Sequence, residues 1–132
     1  MEIIKSFNIK GGINVDCIAE APGGFVEYFN EIGCSINAIS LDSSDNSIPH
    51  WNRNIITNDN INIFSGADNT GDIYKLLNIL HYIKCSGKNT RDIVTGDGGF
   101  DYTTDFSKQE SDSYPLIYSE ILMGLLLLKR GG

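Results

Sequence analysis

The sequence predicts an α/β domain built on a doubly wound, mostly parallel sheet, and three observations predict it. Short apolar runs of strand length alternate with stretches of helical periodicity, in the order strand, helix, strand, loop, strand, helix, strand, helix. That alternation calls for right-handed crossovers with helices on both faces of the sheet. The first run, Val15 to Ala19, is nearly continuous in its apolar character, as in strands covered on both faces. It ends in Glu20 and passes through a Pro-Gly-Gly turn straight into a helix, within the segment VDCIAEAPGGFVEYF, Val15 to Phe29.

That junction has the parts of a ligand cradle. Open α/β sheets bind ligands in the crevice outside the carboxyl ends of their strands, which is where Glu20 stands. Its carboxylate can accept hydrogen bonds from an amine or hydroxyl. Gly23 and Gly24 let the backbone turn sharply and lie against a ligand, and Pro22 stiffens the turn by fixing φ. Phe25, Phe29 and Ile32 give the helix one apolar face to lay on the sheet.

The second strand is read over Ile36 to Leu41, followed by Asp42. An acid at that place takes ribose hydroxyls in nucleotide-binding folds, but Asp-Ser-Ser-Asp-Asn-Ser is equally good turn chemistry. Ser43 to Asn60 reads as a polar loop, with His50 on its surface and Trp51 either covering a base or anchoring local packing. Ile61 to Phe64 is the third strand. Ile73, Leu76, Leu77, Leu80 and Ile83 then mark an amphipathic helix, N-capped by Asp72, stopped at Ser86-Gly87, and carrying His81 on its flank without an evident partner. Asp92 to Gly96 is the fourth strand and runs into Asp97-Gly98-Gly99-Phe100. From Ser113, the residues Leu116, Ile117, Ile121, Leu122 and Leu125 outline the buried face of a last helix, ended by Lys129-Arg130-Gly131-Gly132. The next strand is expected after that point, so the sheet is expected to be incomplete.

Composition narrows the function classes. A chain of 132 residues with 41% hydrophobic and 20% charged residues is an ordinary globular domain. Cys17, Cys34 and Cys85 are far apart and form no C-x-x-C pair, so neither a zinc site nor a disulfide framework is indicated and reduced, buried, structural thiols are expected. The N-terminus lacks a signal-peptide core, and the longest apolar run, Ile121 to Leu128, falls short of the roughly 20 residues of a membrane span. A soluble intracellular protein is expected. A net charge of −7 with ten scattered cations gives no electrostatic footprint for nucleic acid.

With EAPGGF, TGDI, DGGF and a leucine-rich helix ending in KRGG in order, the chain resembles the FtsJ-like S-adenosylmethionine-dependent RNA 2′-O-ribose methyltransferases, particularly those acting on messenger RNA caps. The resemblance runs from about Val15 to the last residue. It implies a Rossmann-like sheet of the class I methyltransferase type, a lead-in over residues 1–14 and a cofactor-binding core over 15–132. It also implies S-adenosyl-L-methionine as cofactor and capped mRNA as partner. Glu20, Ala21, Pro22, Gly23, Gly24 and Phe25 would take the methionine end and ribose of the cofactor. Asp68 or Asp72 would approach the adenine, and Asp97 would be the acid of the family's catalytic Lys-Asp-Lys-Glu set. The chain departs from that set elsewhere. Lys5 and Lys10 stand too near the glycine loop to match its first lysine, Lys108 is of the right type in the wrong place, and the second lysine and the glutamate have no counterpart. This segment alone is therefore expected to be inert.

Two other classes compete with that reading. A nicotinamide-dependent dehydrogenase is disfavoured by the absence of G-x-G-x-x-G after the first strand and by the proline in that turn. A truncated, non-catalytic binding module is favoured by the missing lysines and the acidic balance. A methyltransferase for small molecules or proteins fits DGGF less well.

Overall fold

The computed structural model describes residues 6–99 and 106–132; Lys5 and Phe100, both singled out above, lie outside them. Four parallel strands, β1 (Asn14–Ile18), β2 (Ser35–Ile39), β3 (Ile61–Phe64) and β4 (Ile93–Gly96), form one sheet in the order β3-β2-β1-β4. The helices are α1 (Gly24–Glu31), the single turn α2 (Arg53–Ile56), α3 (Leu76–Ser86) and α4 (Phe106–Leu127). The α/β alternation read from the sequence is therefore present.

Strand period two sorts the side chains onto two faces. Val15, Cys17, Ile36, Ala38 and Ile61 meet Val26 and Phe29 of α1 and Ile55 of α2. On the other face Ile18 and Ile39 meet Ile79, Tyr82 and Ile83 of α3 and Leu116, Met123 and Leu127 of α4. Each fully buried Val, Ile or Phe contributes about 1.5–3 kcal/mol.

The second face also carries a polar row, buried at Asp16 and Asn37 and exposed at Asn62. The register sets Asp16, Asn37 and Asn62 side by side across three strands. Asn37 hydrogen-bonds with Ser86 at 2.9 Å and with Asn62 at 3.0 Å. The Ser86 hydroxyl donates to Asp16 Oδ2 at 2.5 Å, and Arg91 Nε lies 3.3 Å from Asp16 Oδ1. That last pair attracts through charge without the alignment of a hydrogen bond. The Arg91 guanidinium donates instead to the Ser86 carbonyl. Burial pushes the Asp16 carboxyl above its ordinary range, and Ser86 and Arg91 offset this only in part.

This row explains where the sequence-based faces fail. In α3 the predicted inward residues Leu76, Leu77 and Leu80 are exposed, whereas Asn78, Ile79, Tyr82, Ile83 and Ser86 are buried. Buried polar groups need partners, and here the partners fix the helix's rotation: Ser86 must reach Asp16 and Asn37, and Asn78 must reach the loop ahead of it. The helix starts at Lys75 as N-cap rather than Asp72, whose Oδ1 accepts the Tyr74 N–H at 2.9 Å in a preceding turn. Among the described residues of α4 only Leu116, Met123 and Leu127 are buried, while Ile117, Ile121, Leu122 and Leu125 are 40–72% exposed. A four-stranded sheet covers one stripe of that helix, and its apolar surface is wider. The helix also begins well before Ser113 and holds Pro115 within it.

Smaller differences have local causes. β1 ends at Ile18 because Ala19 turns to φ 55°, and β2 ends at Ile39. The polar loop contains α2, whose Ile55 is buried. Cys17 and Cys34 are buried as expected, but Cys85 is exposed, with its sulfur 3.9 Å from His81 Nδ1. Past α4, Leu128 forms a parallel bridge with Arg91, and Lys129 pairs with Asp92. Lys129 thus serves the free edge of β4 and not the helix dipole.

Candidate active site

β2 and β3 lie on one side of β1 and β4 on the other, so strand order reverses between β1 and β4. The crevice at that reversal is where open sheets hold ligands. Both motifs of interest stand there: the EAPGG segment leaves β1, the DGG segment leaves β4, and the Asp97 N–H donates to the Ile18 carbonyl at 3.2 Å.

Glu20 is 3% exposed. The Thr95 hydroxyl donates to its Oε1 at 2.6 Å. Among the described residues its Oε2 is buried without a hydrogen bond, the Phe25 amide being near enough to favour the charge but outside bonding geometry. Desolvation pushes this carboxyl up to about 7, and the charges of Asp97 and Glu120 push the same way. A buried acceptor of this kind suits a donor brought by a ligand.

Pro22 and Gly23 are held by the chain that packs over them. The Asn52 N–H donates to the Pro22 carbonyl at 3.1 Å, and the Asn52 amide donates to Glu27 at 3.0 Å. The Ala21 N–H donates to the Ser40 hydroxyl at 3.2 Å. Gly23 has φ 112°, and a Cβ there would lie 2.1 Å from Ile55 Cδ1 and 3.3 Å from the Trp51 ring. Trp51 is therefore a packing anchor for the turn as well as a wall of the neighbouring cleft. Gly23 is also the N-cap of α1, leaving the first-turn amides, those of Gly24 and Phe25 among them, without a side-chain cap at the positive end of the helix dipole.

The other acids fall along the same carboxyl edge. Asp42, 69% exposed, follows β2 with its Oδ1 3.7 Å from His50 Nδ1. It borders a cleft of about 350 Å³ that Ser40, Trp51, Ile63, Phe64 and Ser65 also line. That volume is within the range of small-molecule sites, and it lies beside the β1–β4 crevice rather than in it. Asp68 and Asp72 follow β3. The Asp68 carboxylate is committed to its own loop: it accepts from the Lys75 ammonium at 2.6 Å, the Thr70 hydroxyl at 2.6 Å and the Asn78 amide at 2.9 Å. Those donors, Lys75 first, hold it well below the usual carboxylate range. Asp72 accepts only the Tyr74 N–H among the described residues, leaving Oδ2 open.

Asp97 is exposed at the end of β4. Its turn is shaped by a residue the sequence reading passed over, Glu120 of α4, whose Oε1 accepts the Gly98 N–H at 2.8 Å. A Cβ on Gly98 would lie 2.5 Å from that oxygen and 2.4 Å from Leu116 Cδ2, so the glycine is required by contact. The available signal was an acid inside an otherwise apolar segment, YSEILMGL. Thr95 and Ile55 were missed as well, because their roles depend on which loops meet. Lys10 is exposed, as is Lys108 in the first turn of α4. Among the described residues no group of three or more His, Cys, Asp or Glu is placed to hold a metal ion, and no helix is long and apolar enough to cross a membrane.

Residues 1–132 match the model of the family described as FtsJ-like methyltransferase. A Danio rerio protein named cap-specific mRNA (nucleoside-2′-O-)-methyltransferase 2 is 33% identical, over 99% of this chain and 20% of its own length. A cap-specific mRNA (nucleoside-2′-O-)-methyltransferase of Autographa californica nuclear polyhedrosis virus is 25% identical, over 99% of this chain and 50% of its own. A Trypanosoma brucei brucei protein, cap-specific mRNA (nucleoside-2′-O-)-methyltransferase 1, is 38% identical over 51% of this chain and 18% of its own. The chain thus spans half or less of the length of these relatives.

Proposed function

We propose, on the premise that this chain belongs to the FtsJ-like methyltransferase family, that it forms the cofactor-binding part of an enzyme methylating the ribose 2′-OH of capped mRNA. The observation that carries the reading is the unpartnered, buried Glu20 Oε2 beside the uncapped start of α1, at the reversal of strand order. An acceptor and a row of amide donors side by side suit the ammonium and carboxylate of an amino-acid moiety. The residues fit S-adenosyl-L-methionine, which when bound supplies an electrophilic methyl group on a sulfonium.

Glu20 would accept the ammonium, and the amides of Gly24 and Phe25 would face the carboxylate. Pro22 stiffens the turn, Gly23 lets it pack beneath Ile55 and Trp51, Ala21 fixes it to Ser40, and Asp42 accepts the ribose hydroxyls at the mouth of the cleft. Asp72 approaches the adenine in preference to Asp68, whose oxygens are already used. Asp97, on the far side of the crevice, would accept a hydrogen bond from the acceptor ribose or from the group that deprotonates it, aligning it for in-line transfer. Residues 15–132 make up this cofactor core and 1–14 the lead-in. The relatives' names support transfer over binding alone, and they are the support for capped RNA, since the acidic chain supplies none.

Calorimetric titration of the chain with S-adenosyl-L-methionine or its demethylated product is expected to give saturable binding. A folded sample that takes up neither at millimolar ligand overturns the reading. In the full-length protein, Asp97→Ala is expected to abolish methyl transfer to capped RNA while changing the affinity for the demethylated product by less than about threefold, since the proposed role concerns the acceptor. Retained turnover would remove Asp97 from the reaction.

A further inference from the structure

Glu120 is the group near this crevice that no motif accounts for. It comes from α4, the last helix, and reaches the turn after β4: its Oε1 accepts the Gly98 N–H at 2.8 Å, and Gly96 and Gly98 both owe their lack of a side chain to its presence, a Cβ at Gly96 meeting its Cδ at 2.9 Å. Its carboxylate interacts through charge with Asp97 and with Glu20, and Asp97 interacts with Glu20. Three acids from β1, β4 and α4 therefore share one field. No cation among the described residues offsets it: the groups facing Glu20 are Thr95, Asp97, Glu120 and the buried Cys17 thiol.

Mutual repulsion of this kind opposes folding and is unexplained by packing alone. A second observation points to a ligand: Glu20, 3% exposed, carries a buried oxygen that makes no hydrogen bond among the described residues. A site that keeps three carboxylates together and leaves a buried one unpaired is built to receive positive charge.

We propose that Glu120 is a positioning and specificity-determining residue of the cofactor site, locking the Asp97-Gly98 turn and adding the third negative charge of a well that prefers a sulfonium to a neutral thioether. The inference rests on the cofactor reading above. It predicts that the site prefers cofactor to demethylated product: both carry the amino-acid ammonium that Glu20 would take, so the charge at sulfur is the difference.

Titration of the chain at pH 8 with S-adenosyl-L-methionine and with S-adenosyl-L-homocysteine separates the possibilities. Glu120→Gln keeps an oxygen for the Gly98 N–H and removes the charge. It is expected to weaken the sulfonium ligand about threefold to tenfold and the thioether less than twofold. Glu120→Ala, which also orphans the Gly98 N–H, should weaken both. An unchanged ratio of the two affinities in Glu120→Gln overturns the role of Glu120 while leaving the cofactor reading standing. Binding of neither ligand by the unaltered chain overturns both together.

Discussion

Replacing Arg91 by methionine is expected to remove about 3–5 kcal/mol of folding stability, a large share of the 5–15 kcal/mol typical of a domain. Asp16 is 0% exposed in the central strand, and Arg91 is the cation beside it. Methionine keeps much of the side-chain volume but leaves a carboxylate with only neutral groups, the Ser86 hydroxyl foremost, to compensate its charge. Burial already raises the Asp16 carboxyl, so without Arg91 it rises further and the protein relaxes by protonating it. The loss should therefore be largest above neutral pH and shrink as pH falls toward 5. Urea unfolding at pH 8 and pH 5, read as the shift in midpoint at constant slope, measures this. Asp16→Asn added to Arg91→Met should recover part of the stability by removing the stranded charge. A loss below about 1 kcal/mol at pH 8 would mean that water reaches the pair and that the ion pair is a surface one in effect.

The elements that were legible in the sequence are those whose signal is local. The Val15 to Phe29 junction, the INIF strand and the DIVTG strand were readable because strand length, turn chemistry and the following helix sit within a few residues of each other. Helix faces were not, because apolar periodicity assigns leucines inward by default. Asn78 and Ser86 overrode it through partners 10 and 70 residues away, at Asp68 and Asp16. A buried polar group has a stronger claim on the interior than a leucine when its partner is already there. Asp16 itself lay inside a run read as apolar, and nothing near it in sequence announces Arg91.

The site divides the same way. The motif residues Glu20, Gly23 and Asp97 were nameable because their chemistry is carried by type and adjacency, and the strand order then brings Glu20 and Asp97 to one crevice. Thr95 and Glu120 act on them from β4 and α4, at separations of 75 and 22 residues from the groups they bond. Asp68 illustrates the converse: its residue type invited a ligand role, but three neighbours within ten residues already use its oxygens.

Glu20→Gln is expected to make the chain more stable at pH 8 and unable to hold the cofactor, two effects with one cause. In the folded state this carboxyl titrates near 7, against an ordinary value of 4.5. A raised acid pKa means the folded state holds the proton more tightly than the unfolded chain does. Its contribution is therefore fully present below about pH 4.5 and is lost as pH rises through about 7. Glutamine is neutral throughout and can still accept the Thr95 hydroxyl. Relative to the unaltered chain, the variant should match it at pH 4.5 and exceed it by about 2 kcal/mol at pH 8, after discounting for relaxation. Thermal unfolding of both chains across that range reads the difference directly. Cofactor affinity should move the other way, falling about thirtyfold at pH 8 as a charge-assisted bond to the ammonium is lost. Binding to the unaltered chain should strengthen between pH 6 and 8 and release protons, because the ammonium favours the ionised form; repeating the calorimetry in buffers of different ionisation enthalpy counts them. Equal unfolding temperatures at pH 8 would show that the carboxyl is not desolvated, and undiminished affinity would show that the ammonium goes elsewhere. Stability gained together with binding lost is what a group held at energetic cost for a ligand should produce.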